Sequence, residues 1–226
     1  MAIYRPEHNP VITPEQVQAL QPGNEIIGVF NAGVCRLGNE IILLARVAEK
    51  PAAPDSRHVS ALVYDTQANE LAKKHFALDD KENDFSDPRL IKRDNITYLT
   101  SMSYLRTARS TDGINFSFDD SAMFLPAGEY ESFGIEDPRI TRIGKIYYIT
   151  YVAVSERGVT TALASTRDFH SFERHGVIFC PENKDAVIFP EKIQGRYYAL
   201  HRPASPFSGR NEIWIAESPD LMCWGN

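Results

Sequence analysis

A strand, a tight turn and a second strand recur four times along this chain, about fifty residues apart, each behind an extended and often proline-containing start. The clearest copy runs over 136–149, from Asp137-Pro138 to a turn at Gly144 and a second strand rich in tyrosine and isoleucine. A hairpin repeated at this period is typical of an all-β fold built from separate small sheets, such as the blades of a propeller. The other copies occupy 31–44, 86–99 and 189–200.

A second signature, a serine and an aspartate followed by an aromatic residue, comes after three of these hairpins. Its copies begin at Ser110, Ser165 and Ser218. The Ser and Asp side chains predict a turn closed by side-chain to backbone hydrogen bonds, and the aromatic side chain is expected to anchor that turn to the core. A hairpin together with the two strands around such a turn makes about four strands per repeat, which is the content of one β-propeller blade.

The whole chain, residues 1–226, is predicted to form a single all-β propeller domain, because no linker or shift of composition divides it. The four hairpins predict about four blades. Two interpretations are open: a four-bladed ring, or a five-bladed β-propeller whose final blade lies beyond Asn226. The second is favoured because ring closure usually takes a strand from the far terminus, and the domain is then incomplete at its C-terminal end.

Charge and hydropathy narrow the range of partners. With 24 Lys and Arg against 30 Asp and Glu, the net charge of −6 opposes binding to nucleic acids and to anionic membranes. The N-terminus lacks the apolar run of a signal peptide, and no apolar run reaches the ~18 residues of a membrane span. Scattered cysteines without a Cys-x-x-Cys pair, and histidines without ligand spacing, favour a reducing compartment and no metal site. The chain is expected to be cytoplasmic.

The first strand of each blade lines the central funnel of a propeller, so the residues that start the hairpins are expected to face one another there. These residues are Asn31, Asp87, Asp137 and the segment 184–191. A carboxylic acid in a partly desolvated funnel can hold its proton near neutral pH and act as a general acid. A structural interpretation is also open, in which Asp137 caps its strand and Arg139 forms an ion pair. For Asp87 this structural interpretation is favoured over a role in the site. The proline that follows each aspartate favours extended backbone.

Basic side chains at related positions predict an anion-binding pocket at the mouth of the funnel. Arg46 ends the first hairpin, Lys184 precedes the last hairpin, and Arg202 ends it. Cations gathered in an otherwise acidic protein attract an anionic substrate. The alternative is that Lys184 is solvated and that Arg202 pairs with Asp185 or Glu191.

Taken together and in this order, these motifs resemble glycoside hydrolase family 130, the β-mannoside phosphorylases and related enzymes with a five-bladed β-propeller. The resemblance extends over nearly the whole chain, and it is the combination that is specific. It rests on Asn31-Ala-Gly with Arg46, Arg109-Ser-Thr-Asp-Gly, Gly134-Ile-Glu-Asp-Pro-Arg139, Phe189-Pro-Glu-Lys192, His201-Arg-Pro203 and the Ser-Pro-Asp-Leu and Trp-Gly of 218–225.

The resemblance implies that Asp137 is the catalytic acid and that it protonates the glycosidic oxygen through a sugar hydroxyl. Inorganic phosphate, the cosubstrate, then attacks the anomeric carbon from the opposite face with inversion, and no cofactor is expected. Such a site needs one acid and a group of cationic side chains that bind phosphate, whereas ordinary inverting hydrolysis needs two carboxylates. The implied phosphate-binding residues are Lys184, His201 and Arg202, and the implied substrate-binding residues are Asn31, Arg46, Asp87, Glu136 and Asp185.

Three functions stay open from the sequence. The first is an inverting glycoside phosphorylase that converts β-mannosides and phosphate to mannose 1-phosphate, with a homo-oligomer as the expected assembly. The second is a β-mannoside hydrolase on the same fold. The third is a propeller that binds carbohydrate without catalysis. Cleavage of mannosides with and without phosphate separates the three.

Overall fold

The computed structural model describes residues 5–204 and 210–225, and within these ranges the chain is built almost entirely from β-strands. The helical elements described are two short 3₁₀ turns, Pro14–Gln16 and Glu129–Glu131, and no helix there is long and apolar enough to cross a membrane. The strands are β1 Glu25–Leu37, β2 Glu40–Lys50, β3 His58–Asp65, β4 Glu70–Ala77, β5 Leu90–Arg93, β6 Ile96–Leu99, β7 Met102–Ser110, β8 Ser117–Phe124, β9 Gly134–Ile143, β10 Ile146–Ser155, β11 Gly158–Thr166, β12 Glu173–Phe179, β13 Asn183–Ile188, β14 Tyr197–Pro203 and β15 Trp214–Ser218.

These strands form propeller blades of antiparallel strands. In blade one, β1, β2, β7 and β8 pair in that order, and in blade two the order is β9, β10, β11 and β12. Blade three contains β13, β14 and β15, with Gly225 paired to Glu217 in the position of a fourth strand. The prediction of an all-β propeller is therefore confirmed.

An insertion, residues 51–101, lies between β2 and β7 and carries two hairpins, β3–β4 and β5–β6. The copy of the repeat at 86–99 contains β5–β6, so its interpretation as a separate blade is wrong, and the described residues contain three blades. The local hairpin signal is real, because Asp94 and Asn95 both have the positive φ of a tight two-residue turn (52° and 63°). The two strands pair with each other, however, and β7 and β8 complete blade one.

Strand β10 shows how the alternation of side chains builds the core. Alternate residues from Tyr147 to Ala153 pack between blades one and two, whereas Val152 and Val154 pack against the insertion. Burial of a side chain of valine size contributes roughly 1.5–3 kcal/mol. The backbone N–H of Tyr64 also donates to the carbonyl of Ser132 at 2.8 Å. The insertion is therefore fastened to blade two beside the start of β9.

The Ser/Asp turn signature connects the third strand of each blade to the fourth. The hydroxyl oxygens of Ser110, Thr166 and Ser218 each accept a hydrogen bond from the backbone N–H three residues on, at 2.9, 3.0 and 2.9 Å. In the middle copy the turn-closing residue is thus Thr166, and the prediction of Ser165 is corrected. The hydroxyl of Ser165 instead contacts Nε2 of His175 at 2.9 Å, because adjacent residues of a strand point to opposite faces.

Each first strand carries a β-bulge at a corresponding point. The register shifts beside Asn31 in β1, Asp137 in β9 and Asp185 in β13, and these residues share left-handed backbone, with φ of 48°, 50° and 58°. The extended backbone expected for Asp137 from the following proline is therefore wrong. Bulges re-aim side chains, and strained left-handed residues cluster at functional sites. Because β9 packs between β1 and β13, the three bulges bring polar side chains to one region.

Candidate active site

Asp137 lies at the centre of a polar cluster that joins blades one and two. Its Oδ1 accepts hydrogen bonds from Asn31 Nδ2 at 3.0 Å and from Arg46 Nη1 at 2.8 Å, whereas its Oδ2 accepts none from the described residues. The second terminal nitrogen of Arg46, Nη2, lies 2.6 Å from Glu136 Oε1. One guanidinium thus bridges two adjacent carboxylates. The structure brings together four of the residues that the sequence indicated.

Two further residues hold Arg46, and the sequence patterns indicated neither. Nε of Arg46 donates to Ser103 Oγ at 2.8 Å, and the guanidinium carbon lies 4.7 Å from the centroid of the Phe30 ring. A cation over an aromatic face is attracted by the ring quadrupole. Phe30 directly precedes Asn31, and this position is the one feature of the sequence that could have indicated Phe30 as part of the cluster. Ser103 is 57 positions from Arg46 and belongs to no recognisable motif.

Burial dominates the electrostatics of Glu136. Its side chain is 19% exposed, and desolvation raises the pKa of its carboxyl above the ordinary value. The positive charge of Arg46 opposes this rise, the negative charges of Asp137 and Asp185 add to it, and Lys184 opposes it. Glu136 therefore keeps its proton to a higher pH than an ordinary glutamate. Strand β13, which carries Lys184 and Asp185, packs against β9, so blade three lies beside the strand that carries Glu136.

Blade three carries the cationic side chains that the sequence indicated. Lys184 on β13 and Arg202 on β14 are paired in register. Arg202 forms an ion pair with Asp185, and Asp185 also lies 3.8 Å from the guanidinium of Arg139 on β9. The alternative interpretation, in which Arg202 pairs with Asp185, is therefore what the structure shows. This carboxylate links the cations of blade three to the strand that carries Asp137.

His201 precedes Arg202 on β14, and two neighbouring side chains hold its ring. Its imidazole stacks on Phe179, with ring centroids 4.4 Å apart and planes 6° apart, and its Nδ1 lies 2.8 Å from Nδ2 of Asn183. Burial lowers the pKa of the His201 imidazole from its ordinary value, which favours the neutral ring. With Nδ1 accepting from the amide of Asn183, the proton resides on Nε2, which is then a hydrogen-bond donor.

Asp87 is not part of this cluster. Its carboxylate pairs with Arg89 in the insertion, with Nη2 and Oδ2 2.7 Å apart, and this hydrogen bond lowers the pKa of Asp87 to about 2. The prediction that Asp87 contacts substrate assumed that 86–99 forms a blade whose start lines the funnel. Because this hairpin belongs to the insertion, that assumption is wrong, and contact of Asp87 with substrate stays a prediction without it.

Known proteins resemble this chain in both sequence and structure. A family model described as β-1,4-mannooligosaccharide phosphorylase, for glycoside hydrolase family 130, matches residues 96–226. This stretch includes the two carboxylates of the cluster and the cations of blade three. It begins after Asn31 and Arg46, which belong to the first two strands.

Individual relatives match as well, and one of them matches over the whole chain. A β-1,2-mannobiose phosphorylase from Listeria innocua is 51% identical over 230 residues, which covers 100% of this chain and 65% of the relative. A 1,2-β-oligomannan phosphorylase from Thermoanaerobacter sp. is 40% identical over 130 residues, which covers 56% of this chain and 41% of the relative. A solved structure of a Listeria innocua β-1,2-mannobiose phosphorylase with β-1,2-mannobiose matches with a TM-score of 0.92 at 50% identity, covering 100% of this chain and 65% of that one. The chain thus spans 65% of the length of that relative.

Proposed function

Because this chain belongs to glycoside hydrolase family 130, we propose that it is an inverting glycoside phosphorylase that cleaves β-mannosides with inorganic phosphate to give mannose 1-phosphate. The observation that carries this proposal is the carboxyl of Asp137, held by Asn31 and Arg46 on a strand that ion pairs through Asp185 connect to Arg202 of blade three. Two relatives are named for β-1,2-linked mannosides, so β-1,2-mannobiose is the first substrate to test. A cytoplasmic location and a homo-oligomer, both expected from the sequence, stay predictions.

Asp137 is the proposed general acid. Both of its hydrogen-bond donors engage Oδ1, which leaves Oδ2 to carry the proton. The proton passes to the glycosidic oxygen through a sugar hydroxyl, so that the bond from C1 to that oxygen breaks and the leaving sugar departs as an alcohol. The proton of the attacking hydrogen phosphate then restores the acid. Glu136 shares the guanidinium of Arg46 with Asp137 and so helps to hold Arg46 beside the acid.

The proposed phosphate cradle consists of Lys184, Arg202 and His201. A guanidinium and an ammonium supply positive charge and directed donors to phosphate, and the neutral His201 ring adds an N–H. A phosphate oxygen bonds to C1 from the face opposite the leaving oxygen, so a β-mannoside yields α-mannose 1-phosphate. The reaction needs no cofactor besides phosphate as cosubstrate.

Product identity tests this proposal. The full-length protein is incubated with β-1,2- and β-1,4-linked mannosides, with and without inorganic phosphate, and the products are separated and identified. We expect mannose 1-phosphate with phosphate present and no cleavage in its absence. Release of free mannose at the same rate in phosphate-free buffer would instead identify a β-mannoside hydrolase. Binding of mannosides without turnover in either buffer would identify a carbohydrate-binding propeller.

A further inference from the structure

The guanidinium of Arg46 is shared between two carboxylates in an arrangement that is not the usual one. An arginine beside a carboxylate commonly forms two parallel hydrogen bonds to that single group. Here Nη1 goes to Asp137 and Nη2 goes to Glu136, at 2.8 and 2.6 Å. The guanidinium could turn and make both bonds to either carboxylate, so some other contact must hold its plane between the two.

Ser103 supplies that contact. Its Oγ accepts the Nε–H of Arg46 at 2.8 Å, so the third nitrogen of the guanidinium is bound by a group other than the two carboxylates. Ser103 is only 2% exposed, so water does not replace it easily. The Phe30 ring restrains the guanidinium face but not its rotation within the plane. The hydroxyl of Ser103 is therefore what sets the in-plane direction of Nη1 and Nη2.

The backbone of Ser103 is also where blade one meets the strand that carries the carboxylates. Ser103 pairs with Gly134 in a parallel bridge between β7 and β9. Gly134 has a φ of 120°, and a Cβ there would lie 2.8 and 2.9 Å from the carbonyl oxygen and nitrogen of Ser103. This approach leaves little room for β9 to shift. Glu136 and Asp137 lie two and three residues after Gly134 in β9, so the same contact limits how far they can move from Ser103.

We propose that Ser103 is a positioning residue that orients Arg46 between Glu136 and Asp137 and so places the acid for proton transfer. This inference rests on the proposed function, because it concerns the acid of that reaction. Ser103 acts through Arg46 and does not touch the substrate. Loss of its hydroxyl lets the guanidinium turn toward one carboxylate, and the hydrogen bond to Asp137 Oδ1 then shifts.

The test compares Ser103→Ala with Ser165→Ala in the full-length protein. Ser165 is likewise a buried serine on a third strand, 7% exposed, and its hydroxyl contacts His175, which is not a residue of the cluster. For Ser103→Ala we expect kcat for mannoside cleavage to fall roughly 10- to 100-fold, with little change in KM, because a misplaced acid affects the transition state. Ser165→Ala should keep kcat within about twofold of the wild-type value.

A second readout does not depend on turnover. In the wild-type protein the Nε–H of Arg46 should give a resolved NMR signal protected from exchange with water, and in Ser103→Ala this exchange should become faster. Unchanged exchange and unchanged kcat in Ser103→Ala would overturn the inference, as would equal losses of kcat in both alanine variants. A wild-type protein that cleaves no mannoside would remove the proposed function, whereas the NMR comparison would still decide whether Ser103 orients Arg46.

Discussion

Replacement of Asp137 by asparagine should lower kcat for β-mannoside cleavage roughly 10²- to 10⁴-fold, which is the usual contribution of a positioned general acid. The amide has nearly the shape of the carboxyl, and its oxygen can still accept from Asn31 and Arg46, so the cluster should stay assembled. It has no acidic proton to give to the leaving oxygen. Steady-state kinetics with β-1,2-mannobiose and phosphate measure the loss, and KM should change little.

The insertion offers a matched control for this substitution. Asp87 has the same Asp-Pro-Arg context as Asp137, but it pairs with Arg89 of the insertion and not with a residue of the cluster. Asp87→Asn should therefore keep kcat within about twofold of the wild-type value. Equal losses of activity in the two variants, or nearly full activity in Asp137→Asn, would contradict the role proposed for Asp137.

Replacement of Arg46 by methionine should affect both stability and activity. Arg46 is 16% exposed and is the common partner of Glu136 and Asp137. Removal of one member of a largely buried ion pair leaves a charge without compensation, and we expect the free energy of unfolding to fall by about 3 kcal/mol. The two carboxylates should then repel each other, and kcat/KM should fall at least roughly 100-fold because the acid is misplaced.

Chemical denaturation and steady-state kinetics measure these two effects of the Arg46 substitution. The control is Arg57→Met, since Arg57 also pairs with an aspartate, Asp55, but has a side chain 81% exposed. An exposed pair of this kind contributes at most about 1 kcal/mol. An Arg46→Met protein with the stability and activity of Arg57→Met would show that the bridge between the carboxylates is dispensable.

The hairpins and several residues of the polar cluster could be predicted from the sequence because both have local signals. Hairpins and Ser/Asp turns depend on neighbouring residues, so their copies are visible in the chain. Asn31, Arg46 and Asp137 were recognised from motifs in a fixed order. Their convergence is a long-range property, since Asn31 and Asp137 are 106 positions apart. Only the corresponding positions in the repeat indicated that they meet.

Other features lacked a distinguishing local signal. The hairpin of β5 and β6 has the same local pattern as a blade hairpin, and only strand pairing shows that it belongs to an insertion. Ser165 and Thr166 both carry hydroxyls, and the register of β11 decides which one closes the turn. Ser103 has no motif at all, because its role arises from the meeting of β7 and β9.

The dependence of the cleavage rate on phosphate concentration, measured for the wild-type protein and for Lys184→Met, tests the central claim most directly. We predict that the wild-type rate extrapolates to zero without phosphate. In Lys184→Met, loss of one charged contact should raise KM for phosphate roughly tenfold or more while KM for β-1,2-mannobiose changes little. A wild-type rate that is independent of phosphate, or a variant in which only KM for the sugar changes, would contradict phosphorolysis at this site.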